Sequence, residues 1–184
     1  FPADEYGFTL EERLRYARPL LEYLLNDADI SFLGDLKFEN GSAVFNEREL
    51  KHMVDVKILV QQMILAWMIA GVIILISGVW AWRGKWLADY WLTLSRAGQV
   101  ILIVIGLILA GVVIGFSALF TGFHRIFFEG DSWLFLYSDT LIRLFPLRFW
   151  QDAFILMGIF SAAGGAALLL LGKRLASKMA KDGR

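Results

Sequence analysis

The sequence predicts a mainly α fold: a polytopic bundle of transmembrane helices carrying a small extracytoplasmic α+β cap. Three observations predict it. The 184-residue chain is 58% hydrophobic, too apolar for an ordinary soluble domain. It contains three runs without a charged residue, 58–82, 97–123 and 153–172, and a hydrocarbon core of about 30 Å is crossed by about 20 apolar helical residues. Charge is also unevenly spread. Residues 83–96 carry 3 basic and 1 acidic side chains and residues 173–184 carry 5 and 1, against 7 and 12 in residues 1–57 and 3 and 4 in residues 124–152. Lys and Arg near span ends stay in the cytoplasm. The predicted organisation is therefore an extracytoplasmic cap, 1–57, and a bundle, 58–184. Within the bundle, the interfacial loop 123–152 is outside and the basic tail 173–184 is inside. The chain opens Phe-Pro-Ala-Asp, with no initiating Met and no signal-peptide pattern. An exported amino terminus needs an export device, so a further span ahead of this sequence, the fourth, is expected.

Along the chain, Thr9 and Glu12 form a capping box. Leu14, Ala17, Leu21, Leu24 and Leu25 follow at helical spacing, and the helix is expected to fade near residues 26–29. Residues 32–45 read as two short strands around Glu39, Asn40, Gly41 and Ser42, a hairpin signal. Asn46 and Glu49 form a second capping box, opening a helix that carries His52 and runs on into the first apolar stretch. Trp80, Trp82, Trp86 and Trp91 mark residues 83–96 as a short interfacial connection. Gly106, Gly111, Gly115, Gly158, Gly164 and Gly165 are expected to let helices approach closely in lipid. The loop 123–150 interleaves aromatic rings with Arg125, Asp131, Asp139 and Arg143, the composition of a segment lying in or dipping into the interface.

Without cysteine, the chain has no thiol nucleophile or thiolate metal site. Its zero net charge gives no reason to expect nucleic-acid binding. The two histidines stand out. His52 lies six residues before the first apolar run and His124 immediately after the second, which places both at the outer headgroup level. Imidazole is the side chain best suited to proton transfer near neutral pH. Asp55, at i+3 from His52, shares its helix face and can orient the ring. A zinc site built from the two imidazoles and Asp55, Asp131 or Asp139 is an alternative, without a His-Glu-x-x-His pattern to support it. Ser42, Ser132 and Ser138 lie in no Gly-x-Ser-x-Gly elbow. Three readings follow: an enzyme that uses the two imidazoles for proton transfer, a zinc-dependent membrane hydrolase, or a non-enzymatic membrane scaffold.

The stretch Glu49, Leu50, Lys51, His52, Met53, Val54, Asp55, Val56 resembles the E-x-x-H-M-x-D-V signature of a bacterial integral membrane family, the lipoprotein intramolecular transacylases. Its second signature resembles Phe123, His124, Arg125, Ile126, Phe127, Phe128, then Gly130, Asp131, Ser132, Trp133, then Thr140 to Pro146, and Phe149 with Trp150. The resemblance runs from about Tyr16 to Trp150. It implies a plasma-membrane protein of four spans, a diacylglyceryl-cysteine lipoprotein as substrate, membrane lipid as surroundings and no cofactor. The implied reaction moves the sn-2 acyl chain from glycerol to the cysteine α-amine and yields a lyso-form lipoprotein. On that footing His124 is expected as general acid/base and His52 as its partner. Asp55 is expected to support His52, and Arg143, Tyr137 or a backbone amide to hold the oxyanion.

Overall fold

The computed structural model describes residues 3–182. Its helices are α1 (Leu10–Leu25), α2 (Ser31–Gly34), α3 (Glu47–Arg83), α4 (Leu87–Phe127), α5 (Thr140–Leu144) and α6 (Leu147–Asp182). Three of them, α3, α4 and α6, are long and apolar enough to cross a membrane. Their side chains are the reverse of a soluble protein's. Trp67, Val113 and Ile114 are 80%, 82% and 86% exposed, and apolar surface on that scale is covered by lipid. The chain is a membrane protein.

The chain divides into two compact units. The first comprises Phe1–Leu65 and Ser117–Gln151. Both predicted capping boxes form here. Thr9 Oγ1 accepts from Glu12 N at 3.2 Å while Glu12 Oε2 accepts from Thr9 N at 2.8 Å. Asn46 Oδ1 accepts from Glu49 N at 3.0 Å while Glu49 Oε2 accepts from Asn46 N at 2.8 Å. Helix α1 ends at Asn26 and packs on α2 and α5. It buries Tyr16, Leu20 and Tyr23; of the predicted stripe Leu24 packs against the core, whereas Leu14, Leu21 and Leu25 are exposed. The unit's core joins Tyr16, Leu20 and Tyr23 to Leu33, Val44, Phe45, Met53, Leu141 and Leu144.

The β part of the predicted cap does not form: among the described residues there is no strand. Phe32 lies in α2, started by Asp29, whose Oδ1 accepts from Ser31 N at 2.6 Å. The hairpin signal gives a tight turn with one isolated bridge, Lys37 to Ala43, and Gly41 at φ 82°. The arms are too short for a ladder, and Leu36, Phe38, Val44 and Phe45 turn into the helical core instead.

The second unit comprises Ala66–Phe116 and Asp152–Arg184. The connection expected over 83–96 is much shorter. Lys85 takes a left-handed backbone (φ 60°), and α4 begins at Leu87, ten residues before the apolar run. Helices α4 and α6 meet through small residues: a Cβ on Gly98 would lie 2.5 Å from the Gly165 carbonyl oxygen, and one on Gly172 2.6 Å from that of Trp91. Ser95 donates from Oγ to Leu169 O at 2.9 Å. Of the glycines singled out in the sequence, Gly158 and Gly165 are packed in this way, whereas Gly106, Gly115 and Gly164 face open space. Gly115 instead interrupts α4, where the backbone leaves helical angles.

Candidate functional site

The capping box at Asn46 fixes where α3 starts and therefore the face on which its side chains point. His52 falls on the inner face, 7% exposed. The last turns of α4 bring His124 opposite. The two imidazole rings are stacked, with centroids 6.0 Å apart and planes 21° from parallel. Both rings belong to the first unit.

Aromatic rings close around the pair. Phe128 lies edge-on to His52 at 4.9 Å and tilted against His124 at 5.4 Å. Phe135 lies edge-on to His52 at 5.3 Å. Trp133 covers His124 at 5.1 Å, and Phe120 lies beneath it at 4.2 Å. The loop between α4 and α5 supplies Phe128, Trp133 and Phe135. Two polar contacts hold it along α3, one on each side of His52. Arg48 donates from Nη1 to Leu134 O at 3.1 Å, and Ser132 donates from Oγ to Asp55 Oδ2 at 3.5 Å.

The protonation pattern of His124 follows from its partner. Its Nδ1 stands 2.8 Å from Phe120 O. A carbonyl oxygen only accepts, so Nδ1 carries the proton and the neutral ring presents Nε2 as a bare lone pair. His52 Nδ1 is buried and has no hydrogen-bond partner among the described residues. An unpaired buried polar atom costs roughly 1–3 kcal/mol, and such atoms mark places where something else binds.

Glu49, 1% exposed, sets the frame. Besides accepting from Asn46, its Oε1 accepts from Leu141 N at 2.7 Å, which ties the start of α3 to α5. Asn46 Nδ2 donates to Asp139 Oδ1 at 3.2 Å, and Asp139 Oδ2 accepts from Leu136 N at 2.8 Å. The roofing loop is thereby anchored just beyond Phe135.

The structure brings His52 and His124 together and puts Asp55 against Ser132 rather than in a hydrogen bond with His52. Arg143 is engaged elsewhere. Its Nε and Nη2 donate to Asp4 Oδ2 at 3.1 and 2.9 Å, Nη2 also donates to Tyr6 O at 3.1 Å, and the guanidinium lies 3.5 Å over the Phe8 ring. Burial raises the Asp4 carboxyl. The Arg143 hydrogen bond, the Phe8 N–H and the charges of Arg143 and Arg13 outweigh burial and hold it below 3.8. Tyr137 is 82% exposed. Sequence reasoning did not single out Arg48 or Phe120. Their signal is positional, since each lies one helical turn before a histidine.

Three long apolar helices and a pair of stacked imidazoles under an aromatic roof define a polytopic membrane protein with a buried histidine pair. The family model described as "Lipoprotein intramolecular transacylase Lit" matches residues 3–150, and the chain belongs to that family of acyltransferases. An uncharacterized protein of Aquifex aeolicus (strain VF5) is 32% identical over 180 residues, covering 94% of this chain and 76% of the relative. The solved structure of the membrane integral lipoprotein intramolecular transacylase Lit from Bacillus cereus superposes with a TM-score of 0.75 at 21% identity. That match covers 97% of this chain and 77% of the other, and shows the same fold.

Proposed function

We propose that this enzyme moves the sn-2 acyl chain of a diacylglyceryl-cysteine lipoprotein onto the cysteine α-amine, with His124 as general acid/base. The observation that carries the reading is the 2.8 Å contact of His124 Nδ1 with Phe120 O: the carbonyl accepts a hydrogen bond from Nδ1–H, and in the neutral ring Nε2 is left to accept a proton. The α-amine nitrogen attacks the ester carbonyl, and Nε2 takes a proton from that nitrogen as the N–C bond forms. Collapse of the tetrahedral intermediate breaks the bond to the glycerol oxygen, and Nε2–H returns the proton there. The substrate supplies its own nucleophile, in keeping with a chain that has no cysteine. Amine and ester belong to one substrate molecule, so the attack is already intramolecular, and the site's part is to hold the two in the reacting orientation.

His52, whose ring stacks 6.0 Å from that of His124, binds the amine or shares the proton transfer. Asp55 acts through Ser132 on the roof. With Arg143 committed to Asp4, a backbone N–H is the better candidate for the oxyanion than Arg143 or Tyr137. Two imidazoles fall short of the three protein ligands of a catalytic zinc, and no cluster of three or more His, Asp or Glu suited to a metal occurs among the described residues. The acid–base reading therefore stands ahead of a zinc hydrolase. The site faces the extracytoplasmic side and the carboxyl terminus the cytoplasm, on the distribution of Lys and Arg.

The test is mass spectrometry of lipoprotein amino termini from a host that lacks other amino-terminal acylation and expresses this chain. An N-acyl cysteine bearing a mono-acyl glyceryl group is expected. A free amine with both glyceryl chains retained overturns the reading.

A further inference from the structure

The outward face of α1 is a leucine stripe that nothing among the described residues covers. Leu10, Leu14, Leu21 and Leu25 are 66%, 64%, 55% and 72% exposed. Ala17 lies between them on the same face, roughly 140° around the helix from the buried Tyr16, Leu20 and Tyr23 at 3.6 residues per turn. A shallow groove runs along Leu14, Ala17 and Leu21, edged by Glu11, Arg15, Arg18 and Glu22. The helix is apolar on two faces, and only one of them is used by the core.

The carboxyl end of α1 is tied to a known depth. Lys57 donates from Nζ to Ala28 O at 2.5 Å and to Asn26 Oδ1 at 3.4 Å, and lies 4.0 Å over the Tyr23 ring. Gln61 donates from Nε2 to Asn26 O at 3.4 Å. Lys57 immediately precedes the first apolar run of α3, and Gln61 lies one turn inside it. Leu25 and Leu21 therefore sit level with the beginning of a span whose own Ile58, Met63 and Leu65 are 50%, 50% and 54% exposed. The leucine stripe continues that lipid-facing surface.

We propose that α1 is an interfacial membrane anchor: the occupant of its outward face is the lipid of the bilayer that α3 enters. Leu25 and Leu21 penetrate deepest, and Leu14 and Leu10 lie progressively shallower. Arg15 and Arg18, paired with Glu39 at 3.6 Å and Glu22 at 3.7 Å, line one margin of the stripe, where their stems lie on lipid and these ion pairs stay at the headgroup level. The core attached to Tyr16, Leu20 and Tyr23 is thereby held against the headgroups.

The chain has no cysteine, so single probes can be placed cleanly. Leu14→Cys, Leu21→Cys and Leu25→Cys, with Asn40→Cys at the exposed turn as reference, are labelled with an environment-sensitive fluorophore. The full chain is then reconstituted in vesicles of phosphatidylethanolamine and phosphatidylglycerol. Quenching by lipids spin-labelled high on the acyl chain is expected in the order Leu25, Leu21, Leu14, with Asn40 quenched only by aqueous iodide. Iodide quenching of all three helix positions as strong as at Asn40 overturns the proposal. So does protection from both quenchers, which assigns the stripe to a protein partner or a second copy. Neither result bears on the acyl-transfer reading, which rests on His52 and His124.

Discussion

The Nδ1 of His124 stands 2.8 Å from the carbonyl oxygen of Phe120, a contact within one helical turn that decides which nitrogen of the neutral ring carries the proton. Two amide substitutions separate the roles of the two nitrogens. Asparagine reproduces the donor at Nδ1 and removes Nε2, whereas glutamine places a polar group near Nε2 and leaves Phe120 O unpaired. His124→Asn is expected to keep its fold and membrane insertion while acyl transfer falls roughly 100- to 10,000-fold, the usual worth of a general acid/base. Activity within a few-fold of the parent, measured by lipoprotein mass spectrometry, removes His124 from the chemistry.

Asp4 gives the fold a pH dependence of defined sign. Against burial, which raises it, its carboxyl is held below the ordinary carboxylate value in the folded chain by the Arg143 hydrogen bond, the Phe8 N–H and the charges of Arg143 and Arg13, so the folded state favours the carboxylate more than the unfolded chain does. The Asp4–Arg143 contribution is complete above the ordinary carboxylate value and is lost as pH falls through the lowered one. Asp4→Asn is expected to cost about 1.5–3 kcal/mol near pH 7, the range for hydrogen bonds to a charged group. Thermal unfolding in detergent should show the gap between parent and variant narrowing as the pH is taken below 3.8. A gap independent of pH contradicts the assignment.

Glu49 is the hinge between α3 and the roof. Glu49→Ala leaves the N–H of buried Leu141 without an acceptor, at about 1–3 kcal/mol, and frees the loop that carries Phe135 over His52. Hydrogen exchange should accelerate across residues 134–141, and acyl transfer should fall although both histidines are intact. Glu49→Gln keeps an oxygen for Leu141 but turns an amide toward Asn46 N–H, so it should fall between parent and alanine. Unchanged exchange in the roof with Glu49→Ala would falsify this coupling.

What the sequence made legible was what local chemistry determines. Capping boxes at Thr9 and Asn46 are read within four residues, and both form. The apolar runs are set by the thickness of a bilayer, and all three lie in long helices. The expectation that His52 and His124 meet rested on equal depth, and depth survives any rotation of the helices. Contacts that depend on rotation were not legible. Asp55 shares a face with His52 on paper, yet in the fold it meets Ser132 of the roof. Arg143 reads as a free cation among aromatics, but its partner is Asp4, far away in sequence. The strands of 32–45 failed because a turn signal specifies a reversal, whereas a ladder needs longer arms than residues 35–38 and 42–45 provide.

Small residues in the spans invite the same error, since sequence shows each glycine and not its neighbour. At Gly98 a methyl group would lie 2.5 Å from Gly165 O and 2.7 Å from Leu169 N, both backbone atoms, so α4 and α6 must move apart to admit it. That movement also stretches the bond from Ser95 Oγ to Leu169 O. Gly98→Ala is expected to destabilise by about 1–3 kcal/mol, the usual cost of overpacking. Gly106 faces open space, and Gly106→Ala should be neutral or stabilising by up to about 1 kcal/mol through helix propensity. Thermal unfolding of the two variants side by side tests the helix contact directly, because the substitutions are chemically identical and lie in the same helix. Equal effects at both positions mean that α4 and α6 do not touch at Gly98, whereas a loss confined to Gly98 is the signature of backbone meeting backbone in lipid.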